Sequence, residues 1–151
     1  MPIVKNAQSI STHGAGDWEF FTIGTDHYLA VANYYTGSTL NVDSKIYQWN
    51  GTNFVAFQSI PTHCAQDWEF FTIGTDHYLV IPNFNNDSTH NIDSKIYQWN
   101  GTNFVDFQSI PTNGAVDWAF FTIGTDHYLA VANHYNGSTH NIDSKIYQWN
   151  G

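Results

Sequence analysis

The chain repeats a segment of about fifty residues three times. Residues 51–100 and 101–150 are identical at 39 of 50 positions, and residues 1–50 follow the same pattern. A fixed period of this length is typical of repeat architectures. We therefore expect one domain of three units, at approximately 1–50, 51–100 and 101–151. A site built from repeated residues should occur about three times, which favours a multivalent binding protein over an enzyme with one active centre.

Each unit carries the pattern of four β-strands. In the second unit, aromatic and β-branched runs bounded by Gly, Asn, Asp and Pro predict strands at 68–73, 77–82, 94–99 and 104–109. The Asn-Gly pair that begins at Asn100 is the sequence most typical of a tight hairpin turn. No segment shows helical periodicity. The sequence therefore predicts an all-β fold of antiparallel strands.

The alternation of strand direction separates short turns from long loops. The first and third turns of each unit are short and lie on one side of the predicted sheet. The other two connections are long and polar, and in the second unit they cover 62–69 and 83–93. Because binding residues are found preferentially on loops held by a rigid scaffold, we expect the site on the long-loop side.

The units are out of phase with the ends of the chain. The pattern of a fourth strand comes first, at 3–10, and the pattern of a third strand comes last, at 145–149. In β-propellers this offset lets the first strand complete the last blade and cover a sheet edge. Three units of four strands fit a monomeric β-trefoil equally well by their number alone, so both folds stay open at this point.

Four stretches of the second unit resemble the EPTP repeat, also called the epitempin or EAR repeat. They are 54–61, 67–71, 77–79 and 94–101, and the resemblance recurs in all three units. It implies an extracellular β-propeller that binds partners, which favours the propeller over the trefoil. Three blades do not surround an axis, since propellers have typically four to eight. We therefore expect a homodimer that forms one six-bladed propeller, with each N-terminal strand completing the partner's last blade.

Composition excludes several classes of function. The net charge is −9, with four lysines and no arginine, which argues against nucleic acid and anionic membrane surfaces. The sequence has no stretch of about 18 apolar residues, so it predicts no helix that spans a membrane. No nucleophile elbow, P-loop or dinucleotide motif is present, so we expect no enzymatic activity. The single cysteine, Cys64, permits no internal disulfide and is interpreted as a small buried residue.

Repeated aromatic, Asp and Asn residues on the long loops suit a sugar, whose ring stacks on an aromatic face while its hydroxyls bind polar side chains. The candidates of the first loop are Asp17, Trp18, Glu19, Asp67, Trp68, Glu69, Asp117 and Trp118. Those of the second loop are Asn33, Tyr34, Asn41, Asp43, Asn83, His90, Asn91, Asp93, Asn133, His134, His140, Asn141 and Asp143. For the Trp residues, packing within the blades is the alternative interpretation. For Asp17 and its repeats, the alternative is binding to backbone N–H groups.

Calcium is a possible cofactor, with Asp17, Glu19, Asp43 and their repeats as hard oxygen ligands. The spacing matches no linear calcium loop, and Ala119 replaces the acid in the third unit.

A looser similarity, to a small galactose-binding invertebrate lectin built from such repeats, implies only the class of protein. We expect a secreted, multivalent lectin that binds terminal galactose-type glycans or glycoproteins. The alternative is an extracellular protein-binding propeller module, or a piece of a longer receptor-like protein, without sugar binding.

Overall fold

The computed structural model describes residues 3–151, and this part of the chain contains eleven β-strands and no helix. The strands are β1 Ala15–Ile23, β2 Asp26–Asn33, β3 Ser44–Trp49, β4 Phe54–Ile60, β5 Glu69–Ile73, β6 Asp76–Ile81, β7 Asn91–Trp99, β8 Phe104–Asn113, β9 Ala115–Ile123, β10 Asp126–Asn133 and β11 Lys145–Gln148. They form three antiparallel sheets in the orders β1-β2-β3-β4, β5-β6-β7-β8 and β9-β10-β11. The all-β prediction is confirmed.

Each sheet is a meander of consecutive strands, which is the form of a propeller blade. The three sheets are separate, whereas a β-trefoil would join strands of different units in one barrel. Contacts between neighbouring sheets run from β1 to β5 and from β5 to β9, so the first strand of each blade lies innermost. The long loops then lie together at one end of the blades, as predicted.

The turns follow the local sequence closely. Gly101 has a φ of 98°, a left-handed value that Gly adopts without a steric penalty. The Oδ1 atom of Asn100 accepts the N–H groups of Thr102 and Asn103, which closes the predicted hairpin. Two strands of the second blade are longer than predicted, because the segment that begins at Asn91 pairs with 111–113. Pro111 is tolerated there because β8 is an edge strand.

The prediction of a strand at 3–10 is wrong for the single chain. Residues 4–13 are not in a strand, although Gln8 is held beside β4 by hydrogen bonds to the backbone of Phe54. The physical reason is that a strand needs a neighbour, and the third strand that would pair with this segment belongs to a different blade. At the other end β11 is present, and the third blade has three strands.

The hydrophobic core lies between the blades. One cluster joins Phe21 and Ile46 of the first blade to Trp68 and Leu79 of the second. A second cluster repeats these contacts one blade further on, with Phe71 and Ile96 against Trp118 and Leu129. Each blade therefore has a forward face, which is apolar and packs on the following blade, and a backward face, which is apolar and packs on the preceding blade. The same two faces meet at both junctions.

Cys64 is buried with a free thiol, as predicted. Its φ is 53°, and the equivalent Gly14 and Gly114 have φ values of 58° and 51°. Burial raises the pKa of the Cys64 thiol, so the group is held as an unreactive neutral thiol.

Candidate functional site

The predicted site residues separate into three regions of the fold. The first is an acidic group on the innermost strands, formed by Asp17, Glu19, Asp67, Glu69 and Asp117. The second is the interior of the blade junctions, which contains the Trp residues. The third is the long-loop end, which carries the Asn and His candidates and the repeated Asp43, Asp93 and Asp143.

Acidic side chains near the axis bind the backbone of the next blade. The Asp17 carboxylate accepts the N–H of Trp68 at 3.3 Å, and Asp67 accepts the N–H of Trp118 at 3.2 Å. Glu69 accepts the N–H of Phe120 at 3.1 Å. These carboxyl groups therefore link each blade to the next. For Asp17 and Asp67 this is the alternative interpretation given above, in which the side chain binds backbone N–H groups.

Crowding of these carboxyl groups changes their protonation. Burial and, after it, hydrogen bonds shared with the side chains of Asp117 and Asp17 raise the pKa of Asp67 to about 9, although the N–H of Trp118 lowers it. Burial raises the pKa of Glu19 to about 7, with added repulsion from Glu69 and Asp17. At neutral pH the group therefore retains protons, and its negative charge is smaller than its five acids would suggest.

The calcium set predicted from the sequence is not brought together. Asp17 and Glu19 lie on β1, whereas Asp43 lies at the outer side of β2 and accepts the hydroxyl of Ser59 at 2.9 Å. Within residues 3–151, no three His, Cys, Asp or Glu side chains are arranged to hold a metal ion. The predicted combination of Asp17, Glu19 and Asp43 is therefore not assembled into one site by this fold.

The Trp candidates are packing residues in the internal junctions. Trp68 and Trp118 are 0% and 2% exposed, so neither ring face is open to a sugar in this structure. Trp18 occupies the same position in the first blade and is 41% exposed, because no blade precedes it within the chain. Trp68 and Trp118 therefore follow the alternative interpretation given for the Trp residues, which is packing and not stacking on a sugar.

The repeated Asn residues at the end of the second strand of each blade also have a structural role. Asn83 is 3% exposed, accepts the N–H of His63 at 2.9 Å and donates to the carbonyl of Asp93 at 2.9 Å. Asn33 and Asn133 make the same two kinds of bond in their own blades. Because these bonds use both ends of the amide, Asn33, Asn83 and Asn133 are unsuited to bind a sugar directly.

Asn41 and Asn91 join neighbouring blades at the long-loop end. Asn41 donates to the carbonyl of Asn86 at 3.1 Å and to the Asp87 carboxylate at 3.0 Å. Asn91 donates to the carbonyl of Asn136 at 3.2 Å and accepts from Asn113 at 2.6 Å. The equivalent Asn141 lies in the third blade, which has no following blade in the chain.

A polar groove remains open at the long-loop end of the second blade. It has a volume of about 280 Å³, and its polar lining includes His63, Asn86, Asn91, Asp93 and Lys95. Asp93 is exposed, and Lys95 donates to the hydroxyl of Ser109 at 2.7 Å. The equivalent residues of the first and third blades include Asp43 and Asp143, both exposed. This groove is the part of the predicted polar site that the structure leaves free for a ligand.

An aromatic and imidazole cluster lies at the same end, between the second and third blades. We define it as Phe84, His90, His134, Tyr135 and His140. Successive rings are close: the centroid distance is 4.9 Å between Phe84 and His90, 4.8 Å between His90 and Tyr135, and 4.5 Å between Tyr135 and His140. His134 and His140 are exposed, so part of the cluster faces solvent.

The cluster was predicted only in part. His90, His134 and His140 were candidates, whereas Phe84 and Tyr135 were not in the predicted site. Their variation between the units was the available signal, since Tyr135 corresponds to Asn85 in the second unit. In the first blade, Tyr34 and Tyr35 are equivalent to His134 and Tyr135 of the cluster, and each is 40% exposed. Burial lowers the pKa of His90, and nearby His134 and His140 lower it further, so His90 is neutral at physiological pH.

The fold and the site define a repeat protein of propeller blades with a polar groove at the long-loop end of the second blade. The model of the EPTP domain matches residues 5–50, 53–100 and 103–150. The chain therefore belongs to the EPTP family, whose repeats form propeller blades, and the resemblance seen in the sequence is confirmed.

Two relatives are similar to part of the chain. The human thrombospondin-type laminin G domain and EAR repeat-containing protein is 56% identical over 43 residues, which are 28% of this chain and 6% of that protein. The mouse protein of the same name is 54% identical over 50 residues, which are 32% of this chain and 8% of that protein. Both are named for their domains rather than for a reaction. The part of this chain that the structure describes has no helix able to cross a membrane.

Proposed function

We propose that the chain is an extracellular, multivalent carbohydrate-binding module that recognises terminal galactose-type glycans of glycoproteins. The observation that carries this proposal is the polar groove at the loop end of the second blade. Phe84 of the cluster follows the groove residue Asn83 in the chain and donates its N–H to the carbonyl of His63, which also lines the groove, at 2.9 Å. A sugar site needs both elements, since apolar C–H groups pack on rings while hydroxyls need fixed polar partners.

The groove supplies donors and acceptors of several kinds. Asp93 offers a carboxylate acceptor, Lys95 a cationic donor, and His63 an imidazole whose Nδ1 atom lies 2.6 Å from the Oδ1 atom of Asn41. A hydroxyl of a sugar can donate to Asp93 and accept from Lys95 at the same time. Hydrogen bonds to charged groups are the stronger ones, which suits a shallow site with few contacts.

Repetition compensates for a weak individual site. The groove residues Asp93 and Lys95 have counterparts in the other two blades, at Asp43 and Lys45 and at Asp143 and Lys145. When several weak sites on one scaffold bind the same glycan-bearing surface, the effective concentration raises the overall affinity. The three equivalent positions would then bind a cell-surface glycoprotein more tightly than a free monosaccharide.

A protein partner is the second candidate function, and a specific observation favours it. The full cluster forms between the second and third blades, whereas the first two blades place Leu40 and Asn85 where the cluster has His90 and Tyr135. A surface that differs between repeats suits one asymmetric protein partner. The family's association with extracellular repeat proteins supports this candidate as well.

A matched pair of variants tests the sugar site. Asp93→Asn removes the carboxylate of the groove, and Asp76→Asn makes the same change at an exposed Asp in the short turn at the opposite end. We expect Asp93→Asn to weaken binding to a galactose-terminated glycan about tenfold, the effect of about 1.4 kcal/mol from one lost charged hydrogen bond. Asp76→Asn should leave binding unchanged. Equal affinities of both variants and the wild type would overturn the assignment of the groove.

A further inference from the structure

The two ends of the row of blades expose apolar residues that the internal junctions bury. Ile46 and Ile96 are 0% and 1% exposed, whereas the equivalent Ile146 of the third blade is 69% exposed. At the other end Trp18 is 41% exposed, against 0% and 2% for its equivalents Trp68 and Trp118. The forward face of the third blade and the backward face of the first are therefore the same two faces that pack together twice inside the chain.

The third blade also has an unpaired sheet edge. In the first two blades Lys45 and Lys95, each on the third strand, donate to Ser59 and Ser109 on the fourth strand. Two buried hydroxyl pairs, Ser44 with Thr62 and Ser94 with Thr112, lie beside them at 2.8 Å. Within residues 3–151, β11 has only β10 as a neighbour, so Ser144 and Lys145 face an open edge.

The N-terminal segment occupies the position of a fourth strand that precedes the first blade. Gln8 donates to the carbonyl of Phe54 at 2.8 Å and accepts its N–H at 2.9 Å. Gln58 of β4 makes the same two bonds with Phe104 of the next blade, at 2.7 and 2.9 Å. The N–H of His13 donates to Asn33, as that of His63 donates to Asn83. The segment is thus already placed as an outer strand, but without a third strand to pair with.

We infer that two copies of the chain close one six-bladed propeller by strand exchange. Residues 8–13 of each copy pair with residues 141–146 of the other copy, in the register of β8 on β7, and complete its third blade. Two copies of the three described blades give six blades, which lies within the usual range of four to eight. The arrangement has twofold symmetry, covers both apolar faces and removes both open edges. This inference does not depend on glycan binding.

The repeated contacts specify what the new junction contains. Ser9 corresponds to Ser59 and Ser109, so it faces Lys145 of the other copy. Thr12 corresponds to Thr62 and Thr112, so its hydroxyl forms a hydrogen bond with that of Ser144 of the other copy. Asp117 then accepts the N–H of Trp18, as Asp17 and Asp67 accept those of Trp68 and Trp118.

Closure also brings exposed rings of the two copies together at the loop end. At the new junction, His134 and His140 lie where Phe84 and His90 lie in the internal cluster. Tyr34 and Tyr35 of the other copy lie opposite them, at the positions that His134 and Tyr135 have in the internal cluster. The dimer thus builds a second type of aromatic and imidazole surface, to which both copies contribute.

Site-directed cross-linking tests the exchange directly. Cys64→Gly removes the only cysteine and introduces the residue found at the equivalent positions 14 and 114. In that background Ser9→Cys combined with Lys145→Cys should form a disulfide between chains, because cross-strand neighbours lie within disulfide reach. Ser9→Cys with Lys95→Cys is the matched control, since Lys95 already faces Ser109 of its own chain. We expect a covalent dimer from the first pair alone under non-reducing conditions.

Three results would overturn the exchange: no cross-link in the first pair, equal cross-linking in the control, or a ladder of longer oligomers.

A second pair of variants uses mass in solution. The wild type should have a mass of about 34 kDa by light scattering, twice the 17.1 kDa of one chain. Ile146→Asp should shift the mass to that of one chain, because the ring buries this position. Val105→Asp is the control: Val105 is 40% exposed on a blade that has both neighbours, so it stays exposed in the ring. A wild type of 17.1 kDa, or an Ile146→Asp variant of unchanged mass, would overturn the closed dimer.

Discussion

Truncating the equivalent isoleucine in each blade distinguishes a closed ring from an open row of blades. Ile96→Ala removes a side chain that is 1% exposed and packed in the core between the second and third blades. Loss of such a side chain costs about 2–5 kcal/mol of the free energy of unfolding. With a urea dependence of about 2 kcal/mol per molar, in the middle of the usual range, the unfolding midpoint should fall by roughly 1–2.5 M.

Ile146→Ala makes the same change in the third blade, where the side chain is 69% exposed in the single chain. An exposed position would change stability by about 0.5 kcal/mol or less, whereas a position buried in a closed ring would again cost about 2–5 kcal/mol. We expect the larger loss, measured by urea unfolding at a fixed protein concentration, because the stability of a dimer depends on concentration. A loss of about 0.5 kcal/mol or less at Ile146 beside a large loss at Ile96 would refute closure, and a small loss at Ile96 would refute the core itself.

Three further predictions concern protonation, metal dependence and the cysteine. Because the folded state raises the pKa of Asp67 from 3.8 to about 9, its protonation stabilises the fold in acid, and that contribution is lost as the pH rises from about 4 to about 9. Thermal melting of Asp67→Asn should therefore show a stability gain over the wild type that grows with pH. A gain that is constant with pH would contradict the raised pKa of Asp67. Treatment with EDTA should leave the melting temperature unchanged, since Asp17 and Asp67 are bound to backbone N–H groups, and a marked fall would indicate a structural metal ion. Cys64→Gly should change the free energy of unfolding by no more than about 1 kcal/mol, because the φ of 53° favours Gly while the lost side chain reduces packing; a larger loss in urea unfolding would assign the thiol a packing role that Gly14 and Gly114 do not need.

The four strands of a complete blade, their order and the hairpin turns were predictable because they depend on local patterns. The Asn-Gly pair at Asn100 and the alternating runs around it are repeated, so each unit confirmed the reading of the others. The fourth-strand pattern at 3–10 was also visible, but a strand forms only with a neighbour, and in the single chain β11 lies two blades away from that segment.

The site was less predictable, because a residue type does not specify which of its atoms are already bonded. Asn83 has the composition of a sugar ligand, yet its amide is used at both ends within the blade. Trp68 has the composition of a stacking platform, yet the neighbouring blade covers it. The first fact depends on which atoms meet within a unit and the second on contacts between units, and neither is encoded in the period of the repeat. The exposed Asp93, by contrast, was identified correctly as a polar residue of the long-loop end.

The most direct test of the proposed function is binding of the wild-type protein to a glycan array, with and without EDTA. We predict binding to terminal galactose-type glycans that persists in EDTA. Absence of binding to any glycan at high protein density would contradict the account and favour the protein-partner function. Binding abolished by EDTA would contradict the predicted independence of binding from calcium.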